Sequence, residues 1–327
     1  MRRAHQKHAD LFAQPTKPRA QVAILVNETN YQINTMLDQS GNPWPGKLAY
    51  ATRGWYRYLW DAGIPVDFIE FSELDSVYAA DYKALILPYP IALSDQKAQQ
   101  LATLVARGVN LICEALPGRV DEVCYSVRGE MNPIFAELFG VRHDSCVIVR
   151  EPAGGARWTP PERTYGEFVD AVTLQGEGAL AGHSLQAHFY LQTFVPTGSE
   201  PVLRDGSRVA GVRRTVGRGS AWLLGTFAGF GGTAYRDDAS RNAVLSILRQ
   251  CGVVPDVCGA LLRRRRVAGK KEAWLLTNPH ANDVREMVDV KGFRRVTDLF
   301  DAPLVREGER VVVDVASLDV AGLILER

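Results

Sequence analysis

A cysteine followed by a glutamate, Cys113-Glu114, closes an apolar run and is the first place to look for a nucleophile. A nucleophile elbow needs small flanking residues, because the reactive side chain sits on a strained turn at a helix N-terminus. Here Glu114 follows directly and the next glycine is Gly118. A neighbouring carboxylate also raises a thiol's pKa, the wrong direction for activation. His143, His183 and His188 are isolated, and none stands in an obvious partner position. The pattern assigns no catalytic residue.

The remaining polar clusters fall in three loops, each after an apolar run that reads as a strand. They are Asn27-Glu28-Thr29-Asn30-Tyr31, Pro88-Tyr89-Pro90, and the stretch from Glu114 to Arg119 with Asp121 and Glu122 close behind. Open parallel sheets take their ligands at the carboxyl ends of their strands. Asn27, Glu28, Asn30, Tyr31, Tyr89, Glu114, Arg119, Asp121 and Glu122 are therefore expected on one rim. A stiff Pro/Gly loop at residues 41–46 presents Trp44 beside them. Carboxylates, an arginine and aromatics together suit a polar ligand such as a sugar, or a contact with another domain. The plainer reading is that loop residues are polar because they are wet.

Other features carry less chemistry. Arg263 to Arg266 is a basic run that, exposed, would suit a phosphate patch or a nuclear signal. At the start of a strand it instead places alternating stems over a sheet. Gly229, Gly231 and Gly232 lack the strand–turn–helix context of a dinucleotide fingerprint. His5 and His8 share a helix face without further ligands, and no Cys/His spacing supports zinc. No cofactor and no metal are expected.

The elements that must position these residues read as an α/β pattern. Continuous apolar runs at residues 21–26, 66–69, 84–87 and 109–113 suit strands buried on both faces. Helical patterns lie between them at 47–62 and 95–106, the second N-capped by Ser94. This alternation implies a parallel sheet covered by helices. A short helix opens the chain and a polar loop follows Asn27. Residues 145–226 turn β-rich, and 238–250 is a helix closed by Gly252. Short extended segments at 273–277, 287–290, 310–315 and 322–325 suggest a small antiparallel sandwich. The expected division is 1–20, 21–256 and 257–327.

Bulk properties bound the function. The chain has 327 residues, 46% of them hydrophobic, enough for a real core, and its net charge of +1 gives no field for nucleic acid or membrane. Five scattered cysteines fit reduced thiols in a cytoplasmic protein. The first twenty residues are basic and polar, without the apolar core of a signal peptide. No run approaches the roughly 18 apolar residues of a membrane span.

Several stretches, in order and spacing, resemble the non-catalytic second half of the family 42 glycoside hydrolases, bacterial β-galactosidases. They are residues 20–25, 56–67 (Tyr-Arg-Tyr-Leu-Trp-Asp-Ala-Gly-Ile-Pro-Val-Asp), 81–88, 107–112, 118–122, 217–226, 261–263 and 275–278. The resemblance implies a class I glutamine amidotransferase-like (flavodoxin-like) sheet that makes trimer contacts, then a small C-terminal antiparallel β-sandwich. It implies that residues 1–20 correspond to the exit helix and linker of a catalytic (β/α)8 barrel. No motif for either catalytic glutamate of that barrel is present. The implied role is a non-catalytic assembly module, with a homotrimer, a catalytic barrel subunit or both as partners. The alternative is a stand-alone sugar-binding protein or enzyme of carbohydrate metabolism that uses the rim loops.

Overall fold

The structure, a computed structural model, describes residues 6–13, 18–39, 47–75, 79–127, 129–149, 168–169, 172–234 and 237–327. The Trp44 loop lies outside the described residues. The chain divides into two compact units: Gln21–Trp60 with Val66–Val253, and Met1–Ala20 with Asp61–Pro65 and Val254–Arg327. The short helix α1 (Ala9–Ala13) opens the chain and belongs to the second unit.

The first unit starts with β1 (Val22–Val26), α2 (Glu28–Gln39), α3 (Lys47–Asp61), β2 (Val66–Glu70), β3 (Ala84–Leu87), α4 (Asp95–Ala106) and β4 (Asn110–Cys113). It continues through α5 (Pro133–Phe139), β5 (Val141–Val149), β6 (Phe168–Val169), β7 (Thr173–Gly176), β8 (Ser184–Gln186), β9 (Tyr190–Pro196), β10 (Glu200–Asp205), β11 (Arg208–Val216) and β12 (Gly219–Leu224). It closes with α6 (Ala228–Ala234) and α7 (Asp238–Gln250).

Five strands pair in parallel in the order β2-β1-β3-β4-β12. The sheet then continues antiparallel through β11, β10, β7 and β8. The apolar runs are continuous because both faces are covered: Val22, Ala23 and Ile24 are fully buried, as are Ala84, Ile86 and Leu87. Ser94 caps α4 as expected, its Oγ accepting from the Lys97 N–H at 3.3 Å.

One expectation is corrected. Residues 28–39, read as loop, form α2. Asn27 starts it as a cap does, its Oδ1 accepting from the Asn30 N–H at 3.4 Å.

The second unit holds β13 (Val257–Cys258), β14 (Leu261–Ala268), β15 (Lys271–Thr277), β16 (Val284–Asp289), β17 (Arg295–Asp298), β18 (Val305–Glu307), β19 (Arg310–Val315) and β20 (Val320–Glu326). These form two antiparallel sheets, β13-β14-β15-β20-β17 and β16-β19-β18. One core joins them: Leu261, Trp274, Leu276, Leu323 and Leu325 from the first meet Val288, Val311, Val313 and Val315 from the second. Leu11 of α1 is fully buried against Ala273, Leu299 and Ile324.

Two arginines of the basic run are held in ion pairs. Arg263 pairs with Asp256 at 2.6 Å and lies over the Trp274 ring at 4.4 Å. Arg265 pairs with the nearly buried carboxylate of Glu272 at 2.6 Å. Among the described residues no helix is long and apolar enough to cross a membrane.

Candidate functional site

The carboxyl edge of the parallel strands is where chemistry would have to occur. Cys113 ends β4 with no exposed surface, and burial followed by the Glu114 charge pushes its thiol pKa well up. Glu114 is also fully buried. Its Oε1 accepts from the Trp55 indole N–H at 2.8 Å and the Gly229 N–H at 2.6 Å. Its Oε2 accepts from the Tyr89 N–H at 2.8 Å. Burial outweighs these three donors, so the Glu114 pKa rises from 4.5 to about 7.

The space over this strand end is filled. Tyr89, Leu116, Phe189, Phe227 and Phe230 form a buried cluster, with Phe189 and Phe230 rings 4.2 Å apart. Tyr89, Leu116 and Phe189 all have positive φ, between 46° and 61°, which non-glycine residues rarely adopt. Glu114 holds the first of these loops by its backbone, and Gln192 Oε1 holds the second through the Leu116 N–H at 2.8 Å. The carboxylate thus acts as a cross-brace between β3, β4, α3 and α6.

Nine of the ten rim candidates separate into three groups. Asn30, Tyr89 and Glu114 are buried and off the open rim, which corrects the expectation for these three, and Asn27 is buried except where it backs the cleft described below. Asn27 Nδ2 donates to Ala92 O at 2.7 Å. Asn30 Nδ2 donates to Tyr89 O at 2.7 Å, and its Oδ1 accepts from the Ala92 N–H at 2.6 Å. These amides satisfy loop backbone that would otherwise be buried without partners. Arg119 and Asp121 brace the third loop: Arg119 pairs with Glu130 at 3.1 Å, and Asp121 Oδ1 accepts from Val123 and Tyr125 at 3.0 and 2.8 Å. Glu28, Tyr31 and Glu122 are exposed, and Trp44 lies outside the described residues.

Glu28 and Glu122 line one cleft of about 330 Å³, with Asn27, Thr29, Phe71, Ser72, Leu93 and Lys97 among its other walls. The sequence reading missed Phe71, Ser72 and Lys97. A helix start at Ser94 was the one signal that placed Lys97 near this edge. It also missed the apolar tip of the third loop, Val123 and Tyr125, exposed by 65% and 73%. Among the described residues no group of three or more His, Cys, Asp or Glu is placed to hold a metal ion.

Solved structures of similar fold include Gan42B, a GH42 β-galactosidase from G. stearothermophilus, at a TM-score of 0.70 and 18% identity. The match covers 95% of this chain and 41% of that one. A β-galactosidase from Bacillus circulans sp. alkalophilus matches at a TM-score of 0.69 and 16% identity, over 94% of this chain and 41% of that one. An α-L-fucosidase from Paenibacillus thiaminolyticus matches at 0.54 and 13% identity, over 99% of this chain and 50% of that one. The chain thus spans less than half the length of these β-galactosidases. No curated protein sequence matches it. The sequence model of the β-galactosidase trimerisation domain matches residues 20–242, most of the first unit and more than half of the chain. This match shows that the chain belongs to the β-galactosidase trimerisation domain family.

Proposed function

We propose that this chain is a non-catalytic assembly module of a β-galactosidase-like glycoside hydrolase, organising a homotrimer and docking a catalytic (β/α)8 barrel. The observation that carries the reading is the family match over residues 20–242. Coverage of 41% of solved β-galactosidases supports a division of labour, in which the rest of such a protein supplies the chemistry. Retaining glycoside hydrolysis needs two carboxyls about 5 Å apart flanking the sugar. Glu114, the buried carboxylate at the strand edge, is enclosed by aromatic rings and bound to three donors, so it serves as a brace.

The finer reading is a class I glutamine amidotransferase-like unit over 21–256 and a small β-sandwich over 257–327. The parallel order β2-β1-β3-β4-β12 supports it, being the flavodoxin-like order 2-1-3-4-5. An inert Cys113 at the end of β4 fits a domain of that kind without its reaction. Five free cysteines support a cytoplasmic location.

Light scattering of the purified chain, alone and mixed with a candidate barrel subunit, tests the proposal. A trimer that recruits the barrel and gains nitrophenyl galactoside hydrolysis is the expected result. A strict monomer that binds no barrel at micromolar concentration overturns it.

A further inference from the structure

We propose that the cleft between the ends of β1 and β3 is a binding site for a neutral, polyhydroxylated ligand, a mono- or disaccharide. The connection from β1 runs outward to β2, whereas β3 lies on the other side of β1. That reversal opens the crevice in which doubly wound sheets take ligands. The cleft, about 330 Å³, is at the small end of ligand pockets, sized for a small sugar rather than a long glycan.

Its walls are fixed to one another before any ligand arrives. Asn27 and Asn30 tie the end of β1 to Ala92 and Tyr89 after β3. The Leu93 N–H donates to Val120 O at 3.1 Å, which ties in the loop that carries Glu122. Lys97 Nζ donates to Phe71 O at 2.7 Å, which ties the end of β2 to α4. A site pre-formed in this way orders little on binding.

The side chains that face the cleft are not all engaged. Glu28, Thr29, Ser72 and Glu122 make no side-chain hydrogen bond or ion pair among the described residues. Two free carboxylates oppose a phosphate or carboxylate ligand. The Lys97 ammonium and the positive poles of α2 and α4 oppose a metal cation. A neutral ligand that offers both donors and acceptors meets both conditions. Sugar hydroxyls donate to Glu28 and Glu122, and their oxygens accept from Thr29, Ser72 and the remaining Lys97 protons. Phe71 and Leu93 give an apolar wall for the C–H face of a ring.

This inference is independent of the assembly reading, and light scattering on the same samples keeps the two apart. Isothermal titration and ligand-observed NMR would be run on the full chain with galactose, lactose and glucose. Inorganic phosphate and calcium are the competing probes. Saturable sugar binding at millimolar concentration is expected, with no binding of phosphate or calcium. Glu28→Gln and Glu122→Gln should each weaken it roughly tenfold, as loss of a charge-assisted hydrogen bond does. Ser72→Trp, at an exposed position, should fill the cleft and abolish binding. Circular dichroism and melting of each variant report folding, and the two Gln variants leave side-chain shape unchanged. Absence of saturable sugar binding overturns the proposal. So does binding of phosphate or calcium in place of sugar, or sugar affinity unchanged in all three variants.

Discussion

Glu114 has three N–H donors on its carboxylate, yet its pKa is about 7, because no water reaches it. The ordinary value is 4.5, so between these limits the folded chain holds a proton that the unfolded chain has released. The stability from this group is full below about pH 4.5, declines as pH rises and is lost above about pH 7. At about 1.4 kcal/mol per pH unit, the whole window amounts to about 3 kcal/mol. Glu114→Gln is neutral throughout, so its stability relative to the parent should rise by about that amount across the window. Urea unfolding of both proteins at a series of pH values measures this, and a pH-independent difference would refute it. Cys113 supports a second prediction. Its buried thiol should resist iodoacetamide in the native chain while exposed Cys124 is alkylated, as read by peptide mass mapping. The same burial predicts no ammonia release from glutamine.

Helices α3 and α6 meet through glycines, and this contact explains a glycine cluster that fits no phosphate-binding pattern. A Cβ on Gly54 would lie 1.5 Å from Gly229 O, and one on Gly232 would lie 2.4 Å from Gly54 O. Backbone cannot yield as a side chain does, so Gly54→Ala should cost about 3 kcal/mol and lower the melting temperature by several degrees. An unchanged melt would show that the helices do not approach so closely. The sequence made β1, β3, β4, α4 and α7 legible, because continuous apolar runs, a serine cap and closing glycines act locally. It left α2 illegible, since its starting residues Asn27 to Tyr31 are polar throughout. It also misplaced Asn27, Asn30 and Glu114. Whether a polar side chain faces water or a buried loop N–H depends on the backbone conformation around it. Strand β14 shows the same limit: Arg263 to Arg266 reads as a charge run until Asp256 and Glu272 are seen across from it. Glu272 accepts from Trp274, Arg265 and Arg327 with only 4% of its side chain exposed. Glu272→Ala, which strands those donors, should destabilise the second unit by about 2 kcal/mol in thermal or urea unfolding.

At the scale of the whole molecule, assembly needs a surface that can be covered without reshaping the chain. The loop after β4 offers one. Val123 and Tyr125 project from it, exposed by 65% and 73%, larger fractions than the aromatics of α3 show. Its geometry is set in advance, because Asp121 accepts from both their N–H groups and the Cys124 N–H donates to Asp121 O at 3.2 Å. A rigid tip that carries a tyrosine has the composition and the low ordering cost of an interface anchor. On the assembly reading, sedimentation equilibrium of the full chain should show a trimer in reversible exchange with smaller species. Tyr125→Asp should weaken that trimer by about 2 kcal/mol, roughly thirtyfold in dissociation constant, as loss of a hot spot does. Because the position is exposed, the variant should keep the parent's melting temperature, which separates lost assembly from lost fold. Neither protein alone should hydrolyse nitrophenyl galactoside. A trimer indifferent to Tyr125→Asp would move the interface off this loop, and Phe68→Asp, on the stacked aromatic face formed by Tyr56, Trp60 and Phe68, would then be the variant that dissociates it.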